Sequence, residues 1–301
     1  MKNFVFSLFF GLTVGLVPAA HADLAIFATV PEWGALAKEI GGDKVKVYTA
    51  TTALQDPHRI EAKPSLLAQA RRANLLVATG AELEIGWLPL VQRDSGNAAI
   101  QVGQPGYFEA AAQVTRLDVP ASVDRSHGDV HAGGNPHIQL DPRNVLKVGE
   151  KLAARMAELD PPQAAAYKAG FAAFAGKWQA AMARWEKEAA PLKGVAVLVH
   201  HESFSYLFNW LGMRSVGALE PKPGIEPTSG QLTSLLARQP TQPARMVLRA
   251  AYQPDGPSAW IAGKAGIPAV LLPFTVGGTP EAKDLVGLFD DTVQRLLKAL
   301  K

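Results

Sequence analysis

Cysteine is absent from all 301 residues. That excludes disulfides, thiolate nucleophiles and thiolate metal ligands. Charge is sparse: charged residues make up 19%, and the formal net charge is only +3 with the basic residues scattered. A nucleic-acid surface gathers its basic residues into a stripe, so no nucleic-acid partner is expected. The chain also has no G-x-S-x-G nucleophile elbow, no P-loop, no Rossmann glycine fingerprint and no H-E-x-x-H zinc motif, which removes the commonest short catalytic and nucleotide-binding signatures.

What is present is an apolar, globular composition, 48% hydrophobic, long enough for one or two domains. Residues 1–22 read as a cleavable secretory signal: Lys2, an apolar stretch from Phe4 to Val17, and the small-x-small pattern of Ala20-His21-Ala22. This stretch is too short and wrongly flanked for a membrane anchor. A lipoprotein needs cysteine at the cleavage site, so the expectation is a mature chain from Asp23 in a bacterial periplasm.

From Asp23 onward, short apolar runs alternate with helical patterns. Strands are expected at 25–30, 44–50, 75–79 and 98–102, and again at 195–199, 214–219, 245–249 and 269–272, with helices between them. This rhythm predicts parallel α/β sheets. Its two runs predict two Rossmann-like lobes, at 23–142 and 191–301. The segment 143–190 is a helical connection. Asp160-Pro161 is a good helix start, and Tyr167, Phe171, Phe174, Trp178 and Trp185 fall on one helical face, a stripe read as core packing of a stiff rod between lobes. Residues 120–136 (PASVDRSHGDVHAGGNP) are polar and glycine-bearing, and are expected to form a mobile surface loop carrying His127 and His131.

Among the remaining histidines, His58 and His201 follow strands, where ligands of open α/β sheets collect. His58 and His137 each follow a proline, in Asp56-Pro57-His58 and Asn135-Pro136-His137. Proline stiffens the backbone beneath such a side chain, so an imidazole there loses little freedom on binding a ligand. Three-histidine metal binding is one reading; the other is loop and core histidines hydrogen-bonded to backbone. In Val197-Leu198-Val199-His200-His201-Glu202, alternation sends the two histidines to opposite sides.

Several pieces, in order along nearly the whole chain past residue 22, resemble the zinc/manganese-type substrate-binding proteins of ABC importers. They are Asp56-Pro57-His58-x-x-Glu61-x-x-Pro64, Gly80-x-x-x-Glu84-x-x-Trp87-Leu88, Asn135-Pro136-His137-x-x-Leu140-Asp141-Pro142, His201-Glu202-Ser203-Phe204-x-Tyr206 and Glu220-Pro221-Lys222-x-Gly224-x-Glu226-Pro227. The resemblance implies two α/β lobes joined by one long rigid helix, with a metal site in the cleft. It implies His58, His137 and His201 as ligands and His200 turned away into packing or a backbone hydrogen bond. It implies a monomeric, non-enzymatic receptor that takes up a divalent metal and delivers it to an inner-membrane permease and its ATPase. Three imidazoles suit Zn2+ over manganese. The family's usual fourth ligand is an aspartate, and Leu272 stands at that place. Water or Glu61 is the expected substitute, with His127 and His131 as auxiliary capture groups. Glu220 and Glu226 read as parts of a rigid connection. A zinc-dependent hydrolase, or a receptor for manganese, copper, nickel or a chelate, is the alternative.

Overall fold

The structure is a computed structural model describing residues 23–121 and 131–301. The expected signal segment at 1–22 and the loop residue His127 lie outside the described residues. Among those described, no helix is long and apolar enough to cross a membrane.

The first sheet takes β1 (Leu24–Ala28), β2 (Val45–Thr49), β3 (Leu75–Ala78) and β4 (Tyr107–Glu109) in the order β2-β1-β3-β4, all parallel. The second takes β5 (Ala196–Val199), β6 (Arg214–Ala218), β7 (Val247–Ala250) and β8 (Ala269–Leu272) in the order β6-β5-β7-β8, again all parallel. Each sheet therefore changes direction of growth beside its first strand, the point where α/β sheets open a crevice at their carboxyl ends. Near-continuous burial of β3 and β5 is what a sheet covered on both faces requires.

One expected strand is corrected. Ala98–Ile100 is a 3-10 turn, and the fourth strand is Tyr107–Glu109. The Asn97 side chain accepts the Ala99 N–H at 3.0 Å, and this local bond favours a turn over a ladder.

Helices α1 (Pro31–Gly41), α2 (Pro64–Arg72) and α3 (Leu88–Ser95) follow strands of the first sheet. Next come α4 (Pro142–Leu159) and α5 (Ala164–Glu188). In the second lobe α6 (Ser205–Leu211), α7 (Ser229–Arg238), α8 (Gly256–Ala265) and α9 (Leu285–Leu300) complete the layers. With 25 residues, α5 spans roughly 37 Å at about 1.5 Å per residue. Its aromatic stripe is core: Tyr167, Phe174, Trp178 and Trp185 are buried, with Phe171 partly so. Trp178 donates its indole N–H to Pro142 O at 2.8 Å, and Trp185 donates to Asp290 on α9. The C-terminal half of the stripe is thus tied both to α4 and to the second lobe. A single hydrophobic cluster runs from β1 through α5 to α9.

Candidate metal centre

Each histidine is aimed by its local sequence. Asp56 Oδ1 accepts the His58 N–H at 3.0 Å and lies 2.8 Å from His58 Nδ1. Trp87, buried at the start of α3, donates to Pro57 O at 2.9 Å and pins the same turn. Asn135 Oδ1 accepts the His137 N–H at 3.0 Å. Asp141 then caps α4 by accepting from Arg143 N at 2.9 Å, so the chain turns sharply just after His137. Glu220 Oε2 lies 2.6 Å from His201 Nδ1 and accepts the Gly224 N–H at 2.8 Å. A carboxylate on Nδ1 fixes the ring and leaves Nε2 as the ligand atom, the usual outer support of a metal-binding imidazole.

The fold brings His58, His137 and His201 together. Ring centroids are 5.5 Å apart for His58–His137 and 6.1 Å for both His58–His201 and His137–His201. A fourth ring joins them: His131 stacks on His58 at 5.3 Å. Tetrahedral imidazole coordination, with Zn–N of about 2.0–2.1 Å, puts ring centroids roughly 5 Å apart. The cluster is slightly wider than that. Among the described residues no group of three or more His, Cys, Asp or Glu side chains already has the geometry to hold a metal ion, so these rings must close inward to do so.

The electrostatics favour an incoming cation. His58 Nε2 and both ring nitrogens of His137 are buried without hydrogen-bond partners, a state that costs stability until something binds them. Burial holds His137 far below the ordinary histidine pKa, and the neighbouring His58, His201 and His131 push in the same direction. It is therefore neutral at neutral pH, the form that ligates metal.

The remaining sequence candidates separate. Glu61 stays outside: its side chain is 81% exposed and faces Lys63 at 3.9 Å. Leu272 is buried core. Two residues on, Phe274 adopts a left-handed backbone conformation with φ of 68° and lays its ring 5.2 Å from that of His137. An apolar ring thus covers the side of the cluster next to β8. His200 is 2% exposed, its backbone is hydrogen-bonded to Leu248 and Glu220, and it borders a cavity together with His58 and His201. Glu220, read from sequence as a rigid connector, orients His201; a carboxylate in a proline-stiffened loop was the available signal. Glu84 ties strand ends together, accepting from Thr29 Oγ1 at 2.6 Å and Thr79 N at 2.8 Å.

Two parallel-sheet lobes on a rigid helix, with imidazoles converging from both, define a substrate-binding protein of a metal ABC importer, a receptor and not an enzyme. The family model for zinc-uptake complex component A, periplasmic (ZnuA), matches residues 26–299, and the chain belongs to that family. It is 21% identical over 258 residues to the metal ABC transporter substrate-binding lipoprotein SloC of Streptococcus mutans, covering 85% of this chain and 82% of that one. It is 22% identical to the high-affinity zinc uptake system protein ZnuA of Paracoccus denitrificans, covering 74% and 75%. A manganese ABC transporter lipoprotein, PsaA of Streptococcus pneumoniae, is 23% identical over 78% of this chain and 76% of its own. Among solved structures, a ZnuA crystal structure superposes with a TM-score of 0.76 at 24% identity, covering 93% of this chain and 100% of that one.

Proposed function

We propose that this chain is a high-affinity periplasmic zinc receptor that captures Zn2+ and hands it to an inner-membrane permease with its ATPase. His58, His137 and His201 are the ligands, and His131 takes the fourth position in place of water or Glu61. The observation that carries this reading is the donor set: four imidazoles meet while Leu272 is core and Phe274 covers the side next to it. Imidazole suits zinc, whereas manganese favours carboxylate oxygen. The relatives named for zinc and for manganese make this a question about the site and not about the fold.

The test is metal content and competition on the purified mature protein. One zinc per chain is expected, retained against a large excess of Mn2+. The His131→Ala variant should bind zinc more weakly, whereas Glu61→Ala should not. Manganese binding as tight as zinc binding, or a folded protein that takes up no zinc at neutral pH, would sink the proposal.

A further inference from the structure

His58, His137 and His201 are aimed by Asp56, Asn135 and Glu220. For His131 the aim comes through the backbone that follows it. Its carbonyl accepts the Gly134 N–H at 3.1 Å, so 131–134 is a tight turn, and the Asn135 N–H donates to Leu117 O at 2.8 Å. Between these, the Ala132 N–H donates to Glu82 Oε2 at 2.6 Å. Glu82 stands in an unusual piece of backbone. Just past β3, Gly80, Ala81 and Glu82 all have positive φ, at 77°, 47° and 66°. Glycine takes that region freely, whereas alanine and glutamate rarely do. Neighbouring bonds hold the turn there: the Gly80 N–H donates to Glu84 Oε2 at 3.0 Å, the Ala81 N–H to Glu109 Oε1 at 3.1 Å and the Leu83 N–H to Gly80 O at 3.0 Å. Strain of this kind persists only where the surrounding structure enforces it, and it gathers at ligand clamps. Here it sends the Glu82 side chain across to the amide next to His131. Gly133 lies against the same turn, where an added Cβ would meet Ala81 Cα at 3.4 Å.

We propose that Glu82 is a positioning residue for zinc capture: it anchors the His131 turn to the end of β3, so that the fourth imidazole stands against His58, at 5.3 Å, before the ion arrives. A donor on a segment without periodic structure loses conformational freedom when it binds, and that loss subtracts from affinity. Anchoring the segment to the end of a sheet strand removes the loss beforehand. Glu82 holds only the backbone beside His131; the ring of His131 is what meets the ion. The inference rests on the zinc reading given above, in which His131 completes the donor set.

The test is zinc affinity, by chelator competition at neutral pH, of the mature parent, Glu82→Ala, Glu82→Gln, His131→Ala and the double variant of Glu82→Ala with His131→Ala. Glu82 is exposed, so these changes leave the core intact. Glu82→Ala should weaken zinc binding about tenfold, as loss of an outer support of a metal ligand does. Glu82→Gln keeps an acceptor oxygen for the Ala132 N–H but not the charge, and should restore most of that loss. In the His131→Ala background, Glu82→Ala should change affinity by less than about twofold, because residues that act as one unit do not add. An equal loss in that background would mean that Glu82 acts other than through His131. A glutamine variant as weak as the alanine variant would reduce Glu82 to a charge near the site. Either result overturns the proposal, as does an unchanged affinity in Glu82→Ala while His131→Ala binds weakly. His131→Ala without effect would count instead against His131 as the fourth ligand, and would leave Glu82 nothing to position.

Discussion

Both lobes carry a four-stranded parallel sheet in the same order, yet they present different chemistry to the cleft. Each contributes one imidazole clamped by a carboxylate, Asp56 on His58 and Glu220 on His201. Beyond that pair the likeness ends. The first lobe and the segment following it add His131 and His137, whereas the second lobe adds the ring of Phe274. A repeated strand order supplies two crevices facing one another; the loops alone decide what fills them.

The comparison is sharpest at His137, which has no carboxylate partner and whose two ring nitrogens are both buried and unpaired. A metal is the partner this ring lacks. His137→Ala should lower zinc affinity by about 1,000-fold, on the order of 4 kcal/mol. The metal-free variant should lose little stability, because removing a desolvated polar group offsets part of the cost of the cavity left behind. Chelator competition and thermal melts of both forms read the two effects separately. Loss of metal-free stability without loss of affinity would make His137 a core residue.

A second contact joins the lobes without touching metal. Glu32 at the start of α1 is buried and accepts the Thr275 hydroxyl at 2.6 Å from the other lobe. Burial pushes its carboxyl pKa up from 4.5 to about 7, and the Glu84 carboxylate also raises it. Between those two values the folded chain holds a proton that the unfolded chain has released. Stability contributed by Glu32 is therefore present below pH 4.5 and lost as pH rises through 7, by on the order of 3 kcal/mol. His137 acts in the opposite sense: its depressed pKa makes stability fall as pH drops below the ordinary histidine range. Comparing the parent with Glu32→Gln cancels the histidine contribution. The denaturation midpoint of Glu32→Gln relative to the parent should be higher at pH 8 than at pH 5; an equal offset at both pH values would remove Glu32 as a source of pH dependence.

Strand and helix periodicity made both sheets legible, because apolar runs such as Leu75–Ala78 and Ala196–Val199 are bounded by clear turn residues. It failed at the fourth strand, since Ala98–Ile100 and Tyr107–Glu109 are both three-residue elements, too short for a period to show. The Pro-His units and His201, two residues past β5, were legible as aimed histidines. The meeting of His131 with His58 was not, because it is a contact across 73 positions of chain (131 against 58) and a loop without periodicity gives no register. Glu220 was hidden for a related reason: its role lies in a single 2.6 Å contact with His201, and a carboxylate in a Pro-rich loop is equally well read as a solvated turn.

The two carboxylate clamps allow a finer comparison between lobes. Outer partners of metal-bound histidine contribute roughly 10- to 100-fold in affinity. Glu220 should stand at the upper end, because it also holds Gly224 N and is 13% exposed against 38% for Asp56. Glu220→Gln should therefore weaken zinc binding more than Asp56→Asn, as measured by competition at one pH. The reverse order would assign the more demanding role to the first lobe.

The smallest expected effect is on shape. Receptors that close around a flexible hinge change their scattering profile on loading. Here α5 is tied by Tyr167 to Asp160 near its start and by Trp178 and Trp185 to α4 and α9 in its C-terminal half, and at Gly170 it lies so close to α1 that an added Cβ would sit 2.0 Å from Ile40 O. The hydrophobic cluster continues across the lobes without a break, and Asn135 of the first crevice donates to Glu202 O of the second at 2.9 Å. Opening the cleft would expose part of that shared core, whereas drawing four rings inward needs only side-chain and loop movement. Zinc-free and zinc-loaded protein should therefore give superimposable small-angle scattering, while histidine ring signals shift. A resolvable change in radius of gyration would show that the lobes, and not only their loops, close on the metal.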